Sequence, residues 1–108
     1  MAERKIDKEL KESLQKYLAK IAEYYNIDAA YLFGSYAKGE QRENSDIDVA
    51  IVSKDVKDAI NDMGKMFALT WGIDTRIEPH PFHTSEFRPN ETYFIDEIIK
   101  TGIKIKLP

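Results

Sequence analysis

Residues 45–51 read Ser45-Asp46-Ile47-Asp48-Val49-Ala50-Ile51. Ile47, Val49 and Ile51 alternate with Asp46, Asp48 and Ala50, which predicts a strand with one apolar face and a second face that opens on two acids. Acids there are expensive. Aspartate has low strand propensity, and a carboxylate on a sheet face is costly to desolvate unless it is paired, hydrogen-bonded or bound to metal. Two residues apart in a strand, Asp46 and Asp48 leave the same face with alpha carbons about 6.6 Å apart, so both reach one hard cation. Magnesium takes oxygen ligands, commonly one or two carboxylates together with substrate phosphates.

Working outward, Ala30-Tyr31-Leu32-Phe33 is a short apolar run that ends at Gly34-Ser35 and reads as a buried strand. Ahead of it, Ile6, Leu10, Leu14, Tyr17, Leu18 and Ile21 carry helical spacing, predicting an amphipathic helix over residues 6–25. Between the two strands the chain is polar, with a turn expected at Asn44-Ser45. After the acidic strand, Val56, Ala59, Ile60, Met63, Met66 and Phe67 predict a second helix, capped by Ser53 or Asp55 and ended by Gly72. Ile73-Asp74-Thr75-Arg76-Ile77-Glu78 alternates again and reads as a strand that Pro79 and Pro81 close. A short helix around Tyr93–Ile99 stopped by Gly102, and a terminal strand through Ile103, Ile105 and Leu107, complete the chain. Strand, helix, strand over residues 47–78 is a βαβ unit, so a parallel pair in one α/β domain is expected.

Composition bounds the chemistry. At 108 residues the size prior is a single domain spanning 1–108. Sixteen basic and nineteen acidic residues give a net charge of −3, which argues against a long nucleic-acid groove, since phosphate neutralisation supplies most of the affinity of such binders. The absence of cysteine excludes a disulfide framework, Cys-ligated metal and thiol catalysis. No apolar run is long enough for a membrane span and no apolar stretch follows the charged opening residues, so a cytoplasmic location is expected.

A third carboxylate joins the cluster if Asp74 lies on the neighbouring strand. Upstream, the small residues Gly34, Ser35 and Gly39 let backbone N–H groups approach an anion closely, and Lys38 and Arg42 add positive charge. A phosphate cradle beside a magnesium site is a nucleoside-triphosphate site.

Gly34-Ser35, ten residues, then Asp46-Ile47-Asp48 resembles the nucleotidyltransferase signature of the DNA polymerase beta superfamily. Ser45 to Ile51 is similar to its minimal members, the MNT proteins, and Ile73-Asp74-Thr75-Arg76-Ile77 resembles the superfamily's third-carboxylate strand. The resemblance implies an α/β (α+β) nucleotidyltransferase fold, a small mixed sheet flanked by helices. It implies two Mg2+ ions held by the catalytic acids Asp46, Asp48 and Asp74, with ATP or another NTP bound around Gly34, Ser35, Lys38, Gly39, Arg42 and Ser45. Asp74 is then also the general base. The implied reaction is transfer of AMP to an acceptor hydroxyl, on a partner protein of the HEPN type as in HEPN/MNT toxin–antitoxin pairs, with a homo-oligomer as the other expected assembly. A partner-capping subunit with weak catalysis is the alternative, and a small-molecule (aminoglycoside-type) adenylyltransferase a further one. The chain departs from some minimal members at Tyr36, where they carry arginine, which leaves that charge to Lys38 or Arg42.

Blander readings accompany these. Glu78 reads as a surface salt-bridge residue, although a rival alignment makes it the third ligand in place of Asp74. His80 and His83 flank Pro81 without convincing ligand partners. Tyr17, Tyr24, Tyr25, Phe67, Trp71, Tyr93 and Phe94 read as core or interface packing.

Overall fold

A computed structural model describes residues 8–42 and 45–108 of the chain. Helix α1 runs Lys8–Ile21, and its apolar stripe of Leu10, Leu14, Tyr17, Leu18 and Ile21 is buried. Each such side chain removed from water contributes about 1.5–3 kcal/mol. The beginning of the expected helix at residues 6–7, like Asn44 of the expected turn, lies outside the described residues. The helix stops four residues earlier than its apolar spacing suggests. Tyr25 instead sits in the following turn, where its hydroxyl donates to Asp62 Oδ1 at 2.6 Å.

Strand β1 (Ile27–Phe33) is longer than its apolar run, and a one-turn helix α2 (Ser35–Lys38) follows it directly. Strand β2 (Ile47–Ser53) leads into α3 (Ala59–Ala68), then β3 (Ile77–His83), α4 (Tyr93–Thr101) and the two-residue β4 (Ile103–Lys104). The cap of α3 is Asp58, whose carboxylate accepts from the N–H groups of Ile60 and Asn61, rather than Ser53 or Asp55. Asp55 is engaged elsewhere, accepting from the Asn26 N–H at 2.8 Å.

The four strands form one mixed sheet in the order β3-β2-β1-β4. Strands β2 and β3 are parallel, as the βαβ reading requires, and β1 is antiparallel to both β2 and β4. Helices α1 and α3 contribute to the main core with Ile47, Val49, Ile51 and Ile77, and the Tyr17 hydroxyl ties the two helices by donating to the Met66 carbonyl at 2.6 Å. A smaller cluster of Phe33, Ala50 and Ile98, joined by Tyr31, Phe82 and Phe87, lies under α4.

The third strand corrects the sequence reading. It begins at Ile77 and continues through both prolines to His83, so Asp74 is not a strand residue. The Asp74 carboxylate accepts from the Arg76 backbone N–H two residues on, at 3.0 Å, a local bond that holds the chain in a turn and competes with a strand ladder. The prolines are tolerated because β3 is an edge strand. Two residues apart, Pro79 and Pro81 lack donors on the same side, and they blunt the free edge against further pairing. The aromatic expectation also divides. Tyr17 and Tyr25 are buried, whereas Tyr24, Phe67, Trp71, Tyr93 and Phe94 are exposed.

Candidate active site

In β2 the odd-numbered residues face the main core, which turns Asp48 toward the opposite face, at the end of the strand where β1 turns into α2. Phe33 is the β1 partner of Asp48, so Gly34 follows the carboxylate immediately. The turn there demands glycine twice over. Gly34 has φ 74° and ψ −147°, backbone open almost only to glycine, and a Cβ at this position would lie 2.5 Å from Asp48 Oδ2. Gly34 and Asp48, from the Gly-Ser and Asp-x-Asp pairs that ten residues separate in sequence, are therefore packed together.

The parallel register sets Asp48 beside Glu78 and Ala50 beside His80. Glu78 and His80 share a face because they are two apart in β3. His80 Nε2 lies 3.2 Å from Asp48 Oδ1 and 3.6 Å from Glu78 Oε1. One ligand atom from each of Asp48, Glu78 and His80 falls within 4.8 Å of the others. Asp46, one residue ahead of β2, brings its carboxylate beside Glu78. Burial, and after it the charge of Asp48, raises the Glu78 carboxyl above its ordinary value, with Asp46 adding to the effect and His80 opposing it. The ring of His80 packs edge-on against Phe33, with centroids 4.9 Å apart, and Phe94 completes a triangle of rings at 6.0 Å from His80 and 5.6 Å from Phe33.

Asp74 is not brought to this cluster. Both of its oxygens are taken by the Arg76 guanidinium, at 3.1 Å from Nε and 2.8 Å from Nη2, and that bond, more than the opposing effect of burial, holds its carboxyl below the usual range. Arg76 reaches on to the Tyr36 hydroxyl at 3.2 Å, so the positive charge beside Tyr36 is Arg76. Lys38 faces Glu97 at 4.0 Å. Gly39 closes α2 in the left-handed conformation. The Ser45 hydroxyl accepts from the Arg42 N–H at 2.7 Å and closes the loop before β2.

The structure gives His80 the carboxylate neighbours that the sequence reading does not find for it, and sets Glu78, the rival third carboxylate, rather than Asp74 beside Asp48. The signal was present in Ile77-Glu78-Pro79-His80-Pro81-Phe82, which alternates as strictly as β2 once the prolines are allowed on an edge.

The mixed sheet thus carries carboxylates on two parallel strands, with a glycine turn packed against one of them. The chain belongs to the polymerase beta nucleotidyltransferase family, whose pattern it matches over residues 9–107. It is 40% identical over 76 residues to the "Protein adenylyltransferase MntA" of Shewanella oneidensis, covering 70% of this chain and 51% of that protein. A Methanocaldococcus jannaschii relative, "Putative protein adenylyltransferase MJ0141", is 32% identical over 84 residues, covering 73% of this chain and 79% of the relative. Another from that organism is 46% identical over 43 residues, or 40% of this chain and 50% of its own. The chain thus spans about half the length of most of the curated relatives it matches. Among solved structures, a toxin–antitoxin complex with AMP-PNP superposes with a TM-score of 0.61 at 23% identity, over 91% of this chain and 73% of that one, a likeness of fold.

The family implies a divalent cation, and the residues fit one. Two carboxylates and an imidazole nitrogen converge with a third carboxylate alongside, and a cation offsets both the burial of Glu78 and the repulsion from Asp48 that raise its carboxyl.

Proposed function

We propose that this chain transfers AMP from ATP to an acceptor hydroxyl on a partner protein, using a divalent cation centre built on Asp46, Asp48 and Glu78. The observation that carries the reading is the contact of Gly34 with the Asp48 carboxylate while Glu78 sits beside Asp48 in the parallel register. Glu78 takes the place in the acid set that the resemblance gave to Asp74.

When bound, magnesium ions, two in this reading, neutralise triphosphate charge and lower the pKa of the attacking hydroxyl. The protein's part is positioning. Gly34 and Ser35, with Gly39 closing the turn, offer close approach to the phosphates, and Lys38, Arg42 and Ser45 flank them. The acceptor oxygen attacks the alpha phosphorus in line, the bond to the departing pyrophosphate breaks, and the acceptor's proton passes to a carboxylate. Asp46, Asp48 and Glu78 are the carboxylates at hand to take it.

The toxin–antitoxin neighbour and the relative named MntA support a partner protein as the acceptor, with the HEPN type as the expected class. The absence, among the described residues, of any helix long and apolar enough to cross a membrane is compatible with a cytoplasmic site of action. The test is incubation with α-labelled ATP, GTP, CTP or UTP, magnesium and lysate of the source cells. A labelled band with ATP that disappears in Asp48→Asn supports the assignment. No labelled species with any nucleotide overturns it in favour of a partner-capping subunit.

A further inference from the structure

We propose that His80 is a nitrogen ligand of the cation held by Asp48 and Glu78, and that it tilts the centre from magnesium toward a first-row transition ion. The inference rests on the cation reading above and adds a residue and a metal class to it.

Three observations carry it. The first is spacing. Neighbouring ligand atoms sit about 3 Å apart in an octahedral centre with bonds of about 2.1 Å, and about 3.4 Å apart in a tetrahedral one. The separations of 3.2 Å from His80 Nε2 to Asp48 Oδ1 and 3.6 Å to Glu78 Oε1 are close to such edges, and all three donor atoms lie within 4.8 Å of one another. The second is aim. The half-buried imidazole packs edge-on against Phe33 on one side and presents its Nε2 to both carboxylates on the other. The third is register. Glu78 and His80 are alternate residues of one strand, paired with Asp48 and Ala50 of the next, so the backbone fixes all three donors on one face.

The chemistry follows from the donor set. Magnesium prefers an all-oxygen shell and gives up water reluctantly, whereas imidazole binds first-row transition ions well and more tightly along the series from manganese to copper. Replacing one oxygen by a nitrogen therefore penalises magnesium relative to manganese, cobalt or zinc. Manganese is the useful probe because it is paramagnetic and accepts both donor types.

The experiment uses the untagged full chain, alone and with a non-hydrolysable ATP analogue. Electron spin-echo modulation of bound Mn2+ reports a directly coordinated nitrogen and needs no variant. We expect nitrogen modulation in the wild type and in His83→Gln, and its loss in His80→Gln. Calorimetric titration is expected to show Mn2+ affinity falling about tenfold or more in His80→Gln while Mg2+ affinity changes by less than about threefold. A wild-type Mn2+ complex without nitrogen modulation overturns the proposal and leaves the carboxylate centre standing. Equal weakening of both ions in His80→Gln also overturns it, marking His80 as a hydrogen-bond donor that positions Asp48. If neither ion binds the wild type, the cation reading falls as well.

Discussion

At the scale of single residues, Gly34 and the two rival acids make the sharpest claims. Gly34→Ala forces a Cβ against Asp48 Oδ2 and places alanine in backbone territory that costs on the order of 1–3 kcal/mol. The expected outcome is a lower urea midpoint together with loss of AMP transfer, since the carboxylate must move. Asp74 and Glu78 separate by opposite behaviour. Asp74 is held below its ordinary 3.8 first by the Arg76 guanidinium, so its pairing stabilises the fold at neutral pH and that contribution fades as pH falls below 3.8 through the lowered value. Asp74→Asn should cost about 1 kcal/mol at pH 7, reduced by the solvent exposure of Arg76, and progressively less as pH falls from 3.8 through the lowered value, while transfer activity survives. Glu78 is raised above its ordinary 4.5, so keeping it ionised at neutral pH opposes folding, and the strain is relieved as pH falls through the raised value. Glu78→Gln should therefore melt higher than wild type at pH 7 and transfer no AMP. An active Glu78→Gln beside an inactive Asp74→Asn would restore Asp74 to the acid set.

At the scale of elements, α4 reaches into the site through Phe94 in its first turn, against the rings of Phe33 and His80. Thr92 caps that turn, its hydroxyl accepting from the Ile95 N–H at 3.0 Å. Thr92→Ala should cost about 1 kcal/mol in urea unfolding, and Thr92→Ser should recover most of it. The same elements show what was readable beforehand. The stripe of α1, the alternation of β2 and the βαβ order were visible because burial on one face imposes a period on the residues themselves. The start of β3 was not. Ile73-Asp74-Thr75-Arg76 alternates like a strand, yet a side-chain bond from Asp74 to the Arg76 backbone holds it as a turn, a competition that periodicity does not register. The prolines misled in the opposite direction, since a strand's tolerance of them depends on whether it lies at an edge, a property of the assembled sheet. The closeness of Asp48 to Gly34 was foreshadowed by their spacing and Glu78 by a rival alignment, whereas the place of His80 beside them follows only from the parallel register of β2 and β3.

At the scale of the whole molecule, most of the folding free energy comes from the core between α1, α3 and the sheet, while the site gathers like charges on the opposite face at the start of β2. The scaffold thus carries a local repulsion that a cation converts into attraction, and binding must be visible as global stability. At a free ion concentration a hundred times its dissociation constant, a ligand specific for the folded state adds about 2.7 kcal/mol. For a chain of this length each kcal/mol moves the melting temperature by about 4–8 °C, so a rise on the order of 10 °C is expected when Mn2+ saturates the site, reversed by EDTA. Asp48→Asn should abolish the rise. Glu78→Gln should begin from a higher baseline and respond little, whereas Asp55→Asn, outside the cluster, should respond fully. A rise of equal size in Asp48→Asn would mean that the ion acts elsewhere on the acidic surface, and the charges at the start of β2 would lose their claim to a common centre.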